Sequence, residues 1–287
     1  MELIASQAIV AIIIILLFAI TLKYDKNKIT SKEMTMVAIL CVLTAILSKT
    51  LSIKLPPGQP LFVISLAMCV TTTIGLLVSP KLALIAGFII DLIGIALAPL
   101  SGDMSMPFLG FTLSAMLGVY IPSVMIRKTK YTSQKTLNMI IYIFLAIMLL
   151  LGYLYINNTT SLSIDGVKNE LTSSIKNLVY ILLVVMSVVV IIVNSYFAKK
   201  YNNKNNKLYV TTSHITLIVL VSDVVTSIIG TSLWINIMYG VQFDIAASTR
   251  IVKTILQLPI NVVLIFLILK YMPMQYKKHL LKDSKQK

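Results

Sequence analysis

Four polar side chains in the last long apolar run, Arg250, Lys253, Gln257 and Asn261, stand at offsets of 0, 3, 7 and 11. At 100° per residue they fall within an arc of about 80° on one helical face. A guanidinium can hold a carboxylate through two parallel N–H bonds, and an ammonium adds a further charge-assisted bond, so this face is suited to an anion site. A plainer role is also open to the two cations, reaching to the membrane interface or pairing with Asp244. Two aspartates interrupt other apolar runs. Asp91 aligns with Gly87, Gly94 and Ala98, and Asp223 with Thr226, Ser227, Gly230 and Trp234. A charge at the centre of a lipid-embedded segment costs about 2.5–3.5 kcal/mol on insertion scales, so both carboxylates should face protein. Each fits an ion site, a substrate partner or a hydrogen-bonded structural group.

The common catalytic patterns are missing. There is no GxxxxGK[ST] to cradle a nucleotide, no HExxH and no GxSxG. His214 and His279 are isolated, and Cys41 and Cys69 lie inside apolar runs without a ligand spacing. No catalytic residue, no metal site and no resident cofactor is expected, and the chain is read as a non-enzyme. ATP, if it drives the function, must be hydrolysed by other subunits.

The elements that carry these residues are apolar. Of 287 residues 57% are hydrophobic and only 12% are charged, against about 25% charged in an ordinary globular chain. Segments near 6–22, 34–52, 61–78, 82–98, 107–126, 138–156, 177–197, 212–238 and 247–271 each approach the roughly 20 residues a spanning helix needs. The expected fold is therefore an all-α integral membrane protein with about nine spanning segments. The first run lacks a basic leader, is followed by Lys23, Lys26 and Lys28, and reads as an uncleaved helix.

A net charge of +15 would suggest nucleic acid in a soluble chain, but the basic residues sit between apolar runs and no polar domain carries them. Linkers 23–33, 79–81, 127–137, 198–211 and the tail from Lys270 hold 19 of the 25 Lys and Arg. The positive-inside rule then puts the N-terminus outside and the C-terminus in the cytoplasm of a bacterial cell membrane. It also puts outside the stretch 157–176, whose Asn-x-Thr matches are discounted because the Lys, Ile and Asn bias looks bacterial.

Small residues at helical spacing mark faces along which membrane helices approach closely. Ala38, Cys41, Ala45, Ser48 and Ser52 form one such face, and Gly110, Ser114 and Gly118 another. The outward loops include Pro56–Pro60 and the run from Ser101 into Thr112, with Phe108, Phe111, Trp234 and Tyr239 near the same level. These rings belong either to an interfacial aromatic belt or to the wall of a pocket for a planar anion.

Four stretches, taken in series, resemble the substrate-binding (S) component of an energy-coupling-factor (ECF) vitamin transporter of the folate-type family. They are Ala86–Gly94 (AGFIIDLIG), Pro107–Ala115 (PFLGFTLSA), Leu233–Gly240 (LWINIMYG), and Arg250–Lys253 followed by Leu258-Pro259-Ile260. The resemblance implies a six-helix core that captures a vitamin from outside, associates with a transmembrane coupling subunit and two ATP-binding cassette ATPases, and topples in the bilayer to deliver its cargo. On this reading Arg250 and Lys253 hold carboxylates, Phe108, Phe111, Trp234 and Tyr239 frame the ring, and Gln257, Thr112 and Asn236 complete the substrate-binding set. The family docks through a small-residue face on its first core helix, usually alanines four apart. Cys41 and Ala45 occupy comparable positions, with Ala38 one turn earlier.

On this reading, 1–33 is an extra helix with its linker, 34–126 holds core helices one to four, and 127–211 is an inserted helix pair with an outer loop. Residues 212–271 hold the last two core helices and 272–287 a basic tail. Two other readings remain open: an S component for another vitamin such as pantothenate, and an ion-coupled secondary transporter using Asp91 and Asp223.

Overall fold

The computed structural model describes residues 2–26, 29–50, 52–55, 62–97, 107–158, 161–164, 167–170, 173–201, 210–273, 276–277 and 280. The outward loop Pro56–Pro60, most of Ser101–Thr112 before Pro107, and Ala98 lie outside these residues. In order, the helices are α1 (Glu2–Tyr24), α2 (Ser31–Thr50), α3 (Ala67–Leu77), α4 (Pro80–Leu97), α5 (Leu109–Lys128), α6 (Gln134–Asn158) and α7 (Ser173–Tyr201). A continuous rod follows: α8 (Thr212–Asp223), a π-helical stretch (Val224–Thr231) and α9 (Ser232–Tyr239). The last helix is α10 (Phe243–Tyr271). Counting that rod once, eight of the described helices are long and apolar enough to cross a membrane. The chain is a multi-pass membrane protein of the all-α class, with two short hairpins as its strands among the described residues.

The third apolar run departs from expectation. Instead of one spanning helix over 61–78, it is divided between a strand, β2 (Phe62–Ser65), and the 11-residue α3. β2 pairs antiparallel with β1 (Ser52–Leu55), in register Ser52↔Ser65, so Ser52 belongs to this hairpin and not to the face of α2. Two bonds mark the break: the Ser65 hydroxyl accepts the Ala67 N–H at 3.2 Å, and the Gln257 side-chain amide donates to the Ser65 carbonyl. An apolar run of β-branched residues does not declare by itself which of its parts will be strand. A second hairpin, β3 (Ser161–Ile164) with β4 (Val167–Glu170), joins α6 to α7.

α3 is buried nearly all round, the pattern of a central helix and not of a lipid-facing one. Its partner α5 comes so close that a Cβ on Gly75 would collide with the Val119 carbonyl and Pro122. At Gly87 of α4 a Cβ would collide with the backbone at Ala115 and Met116. Gly94, on the same face as Gly87, has no atom within 4 Å of where its Cβ would be. The end of α3 is tied to α5, because Ser123 Oγ and Arg127 Nη2 both donate to the Val78 carbonyl, at 2.7 and 2.9 Å.

α8 is the other interior helix, with every residue from Thr212 to Leu220 buried. Its start is fixed by a capping box between Thr211 and His214, whose Nε2 also meets the Thr129 carbonyl at 3.2 Å. The isolated histidine is thus a cap. Two polar pairs join α6 and α7 to α8: Ser213 to Asn138 at 2.7 Å and Thr216 to Asn194 at 2.9 Å. α1 lies against α4 and α5. There the Thr21 hydroxyl meets Tyr120 at 3.3 Å, and the Asp25 carboxylate accepts the Lys81 N–H at the start of α4. Past α10, Lys277 is buried and donates to the Leu269 carbonyl at 2.6 Å. Desolvation holds its ammonium below the ordinary lysine pKa.

Candidate functional site

A cavity of about 290 Å³ opens between α3, α4, α5, the π-helical stretch and α10. That is near the lower end of the roughly 300–1,000 Å³ typical of small-molecule sites and gives room for a compact ring with polar substituents.

α10 contributes Lys253, Thr254 and Gln257, which the 3.6-residue repeat places on one face, and Asn261 follows one turn further in, fully buried. Arg250 stands one turn before the cavity. It is half-buried, donates Nη1 to the Ala246 carbonyl at 3.3 Å, and does not line the space. Its charge nevertheless reaches Lys253, and the two cations repel. Asp244 is turned to the Ile245 N–H at 2.9 Å. Gln257 is already committed through its N–H group to Ser65, which leaves its carbonyl oxygen for a ligand.

The opposite wall comes from the rod. Asp223, Thr226, Ser227 and Thr231 all line the cavity. The 100° periodicity of the sequence places Gly230, not Thr231, with Asp223. The π winding closes on i→i+5 and shifts the face by one residue, as the Thr231 hydroxyl bond to the Thr226 carbonyl at 2.8 Å shows. Gly230 instead packs against α5, where a Cβ would press on Ser114 Oγ and the Val225 carbonyl. Across the cavity Asp223 and Lys253 attract each other.

α5 closes the third side with Phe111, Ser114, Ala115 and Gly118. Its small residues do more than let helices approach. Gly110 makes room for the Trp234 ring, and Ser114 accepts the indole N–H at 2.9 Å. Phe108 stacks edge-on to Phe111 at 6.0 Å and tilted to Trp234 at 5.9 Å, forming an aromatic bracket behind the cavity wall. Val10, Ile14 and Leu17 of α1 cover that bracket.

Of the residues expected at the site, Lys253, Gln257 and Phe111 therefore meet at the cavity, while Phe108 and Trp234 support it from behind. Thr112 is turned to the other side of α5, where its hydroxyl donates to Asp91 at 2.7 Å, and neither of the two lines the cavity. Asn236 is exposed and bonds the Val241 carbonyl at 2.8 Å beside Gly240, which takes a left-handed φ of 67°. Tyr239 is exposed.

Of the small-residue face on α2, Ala38 is exposed, but Cys41 and Ala45 point inward, with the Cys41 thiol 3.8 Å from the Ala86 carbonyl. The large apolar side chains exposed on α2 are Met34, Ile39, Val42, Leu43 and Ile46.

Sequence reasoning passed over Ser65, which ends β2, and Met68 and Thr71, which α3 brings to the cavity. The available signal was the run Thr71-Thr72-Thr73 in an otherwise apolar helix. No protein-family model matches the chain and no curated protein matches it, so the likeness carried by the four stretches rests on those stretches alone.

Proposed function

We propose that the chain is the membrane-embedded substrate-binding subunit of an ATP-driven importer, an S component that captures a folate-like or other compact anionic vitamin from outside. The observation that carries this reading is the cavity inside a multi-pass helical bundle, with the Lys253 ammonium and Gln257 on one wall and the Phe111 ring on another. A cation facing a protein-enclosed space within the membrane is costly unless it has work to do there, and neutralising an incoming carboxylate is such work. Arg250, half-buried one turn before the cavity, is placed to draw anions toward it. The partners on this reading are a transmembrane coupling subunit and two ATP-binding cassette ATPases. They would dock on the membrane-facing side of α2, where Ile39, Val42 and Leu43 are exposed beside Ala38. Orientation follows the positive-inside rule, with the N-terminus outside and the basic tail in the cytoplasm, which takes the short α3 with its hairpin as a ninth crossing beside the eight long helices.

Co-purification in mild detergent tests the class, and recovery of a coupling subunit with two ATPases is the expected result. Saturable binding of folate or a smaller pterin carboxylate to the purified chain, lost in Lys253→Met, tests the site.

One observation favours a second reading. Asp223 faces the same cavity, as a proton- or sodium-coupled carrier would require. Uptake that persists without the ATPases and collapses with the membrane potential would select it. Asp91, bonded to Thr112 away from the cavity, has no part in that site.

A further inference from the structure

Asp223 is a carboxylate that the bundle buries beside the cavity. It is only 6% exposed, lies within a spanning rod and lines the cavity. Among the described residues its carboxylate accepts no hydrogen bond, and the charge it feels is that of Lys253 on the opposite wall. A buried carboxylate without donors is unfavourable, so a fold that keeps one is holding it for a partner that arrives. The hydroxyls around it are differently placed. Thr226 and Thr231 spend their protons on carbonyls of their own rod, and Ser114 receives the Trp234 N–H.

A second departure from default structure begins at the next residue. From Val224 to Thr231 the rod winds as a π-helix, a form that recurs at functional positions and is otherwise rare. The two departures coincide in space, because the π winding turns Thr231 to the cavity while Gly230 stays pinned against Ser114. Lys253 answers Asp223 without forming a hydrogen bond to it, so the opposite charges stand apart with the cavity between them.

We infer that the site takes a ligand with separated charge or polarity: an acidic group held by Lys253, and an N–H-donating group, either an amine or the amino edge of a heterocycle, held by Asp223. This rests on the reading of the cavity as a substrate site, and adds Asp223 as a binding residue with its own ligand chemistry. The alternative role for Asp223 is that of a fixed counter-ion which merely balances Lys253. The two roles differ in what they discriminate. A counter-ion affects every anion through Lys253, whereas a ligand-binding carboxylate distinguishes two acids that differ only in their N–H donor.

The test uses the full chain in nanodiscs and calorimetric titration with two matched pairs of probes. Pterin-6-carboxylate and its 2-desamino analogue, 4-oxo-3H-pteridine-6-carboxylate, share ring and acid and differ only in the 2-amino group; 4-aminobutyrate and butyrate differ by an alkyl amine. The amino member of one pair is expected to bind about tenfold or more tightly than its mate, as a hydrogen bond to a charged group supplies. Which pair responds distinguishes a heterocycle from an alkyl amine. In Asp223→Asn the discrimination should fall to within about twofold with the mate's affinity retained, whereas Lys253→Met should weaken both members.

If Asp223→Asn does not fold, the charge-balanced double variant Asp223→Asn with Lys253→Met takes its place and should bind both members of a pair alike. Equal binding within both pairs in the wild type, or discrimination surviving the loss of Asp223, overturns the inference. Saturable binding of the acids that depends on Lys253 would then leave the substrate-site reading standing. If none of the four probes binds, both fall.

Discussion

Lys253 and Arg250 are one turn apart on the same helix, yet their surroundings give them different tasks. Lys253 faces the cavity; Arg250 lies before it and is half-buried. Lys253→Met should therefore weaken binding of a carboxylate ligand about 10- to 100-fold, mostly through faster dissociation, the scale of a lost charge-assisted bond. Arg250→Met should cost less, and the loss should appear in the association rate and its salt dependence. Rapid-mixing kinetics at two salt concentrations separates the two. A second residue-scale expectation concerns Gly110. Ala there would drive its Cβ into the Phe108 and Trp234 rings, which should cost about 1–3 kcal/mol of stability. Because Trp234 is the sole tryptophan, its emission should shift as the bond to Ser114 breaks. The stripe on α10 was legible in advance because one helix carries it at fixed angular spacing. The cavity's other walls were not, since Thr71, Ser114 and Thr231 come from segments whose juxtaposition no single-helix pattern encodes.

At the scale of elements, eight spans follow from apolar length alone, and the exceptions have local causes. The start of the third run is a strand because Phe62–Ser65 pairs with Ser52–Leu55, and the Ser65 carbonyl at its end is bonded by Gln257, 192 residues away. The π stretch escapes a 100° periodicity by construction, which is why Gly230 and Thr231 exchange places between expectation and structure. Cys41 and Ala45 were expected on an outward face, but small side chains suit a close inward approach to α4 equally well. The α6–α7 pair leans on α8 through Asn138 and Asn194, at the end of the rod away from the cavity. Asn138→Ala with Asn194→Ala should lower stability by about 0.6–1.7 kcal/mol per bond and leave ligand affinity within about twofold. Thermal unfolding and titration of the same preparation check both parts.

For the whole molecule, orientation is the property the charges decide. The native thiols, Cys41 and Cys69, are buried and give little background to labelling. A cysteine at Asn169 in the β3–β4 hairpin should react with an impermeant maleimide in intact cells, and one at Tyr131, between α5 and α6, only after lysis. The reverse pattern would invert the topology.

The short α3 also has a consequence for the electrical behaviour of the protein. Its 11 residues span about 16 Å of a hydrocarbon layer about 30 Å thick. On the proposed orientation the remaining depth falls to the backbone of the adjoining β1–β2 strands, and such backbone persists within a membrane only where protein or water satisfies it. Water admitted along that hairpin would carry the conducting boundary inward to Ser65 and concentrate the transmembrane voltage across roughly half the bilayer. On the proposed function, a charged solute bound against Lys253 would sit at the edge of that compressed field, and its arrival should register as a small displacement current in a voltage-clamped membrane.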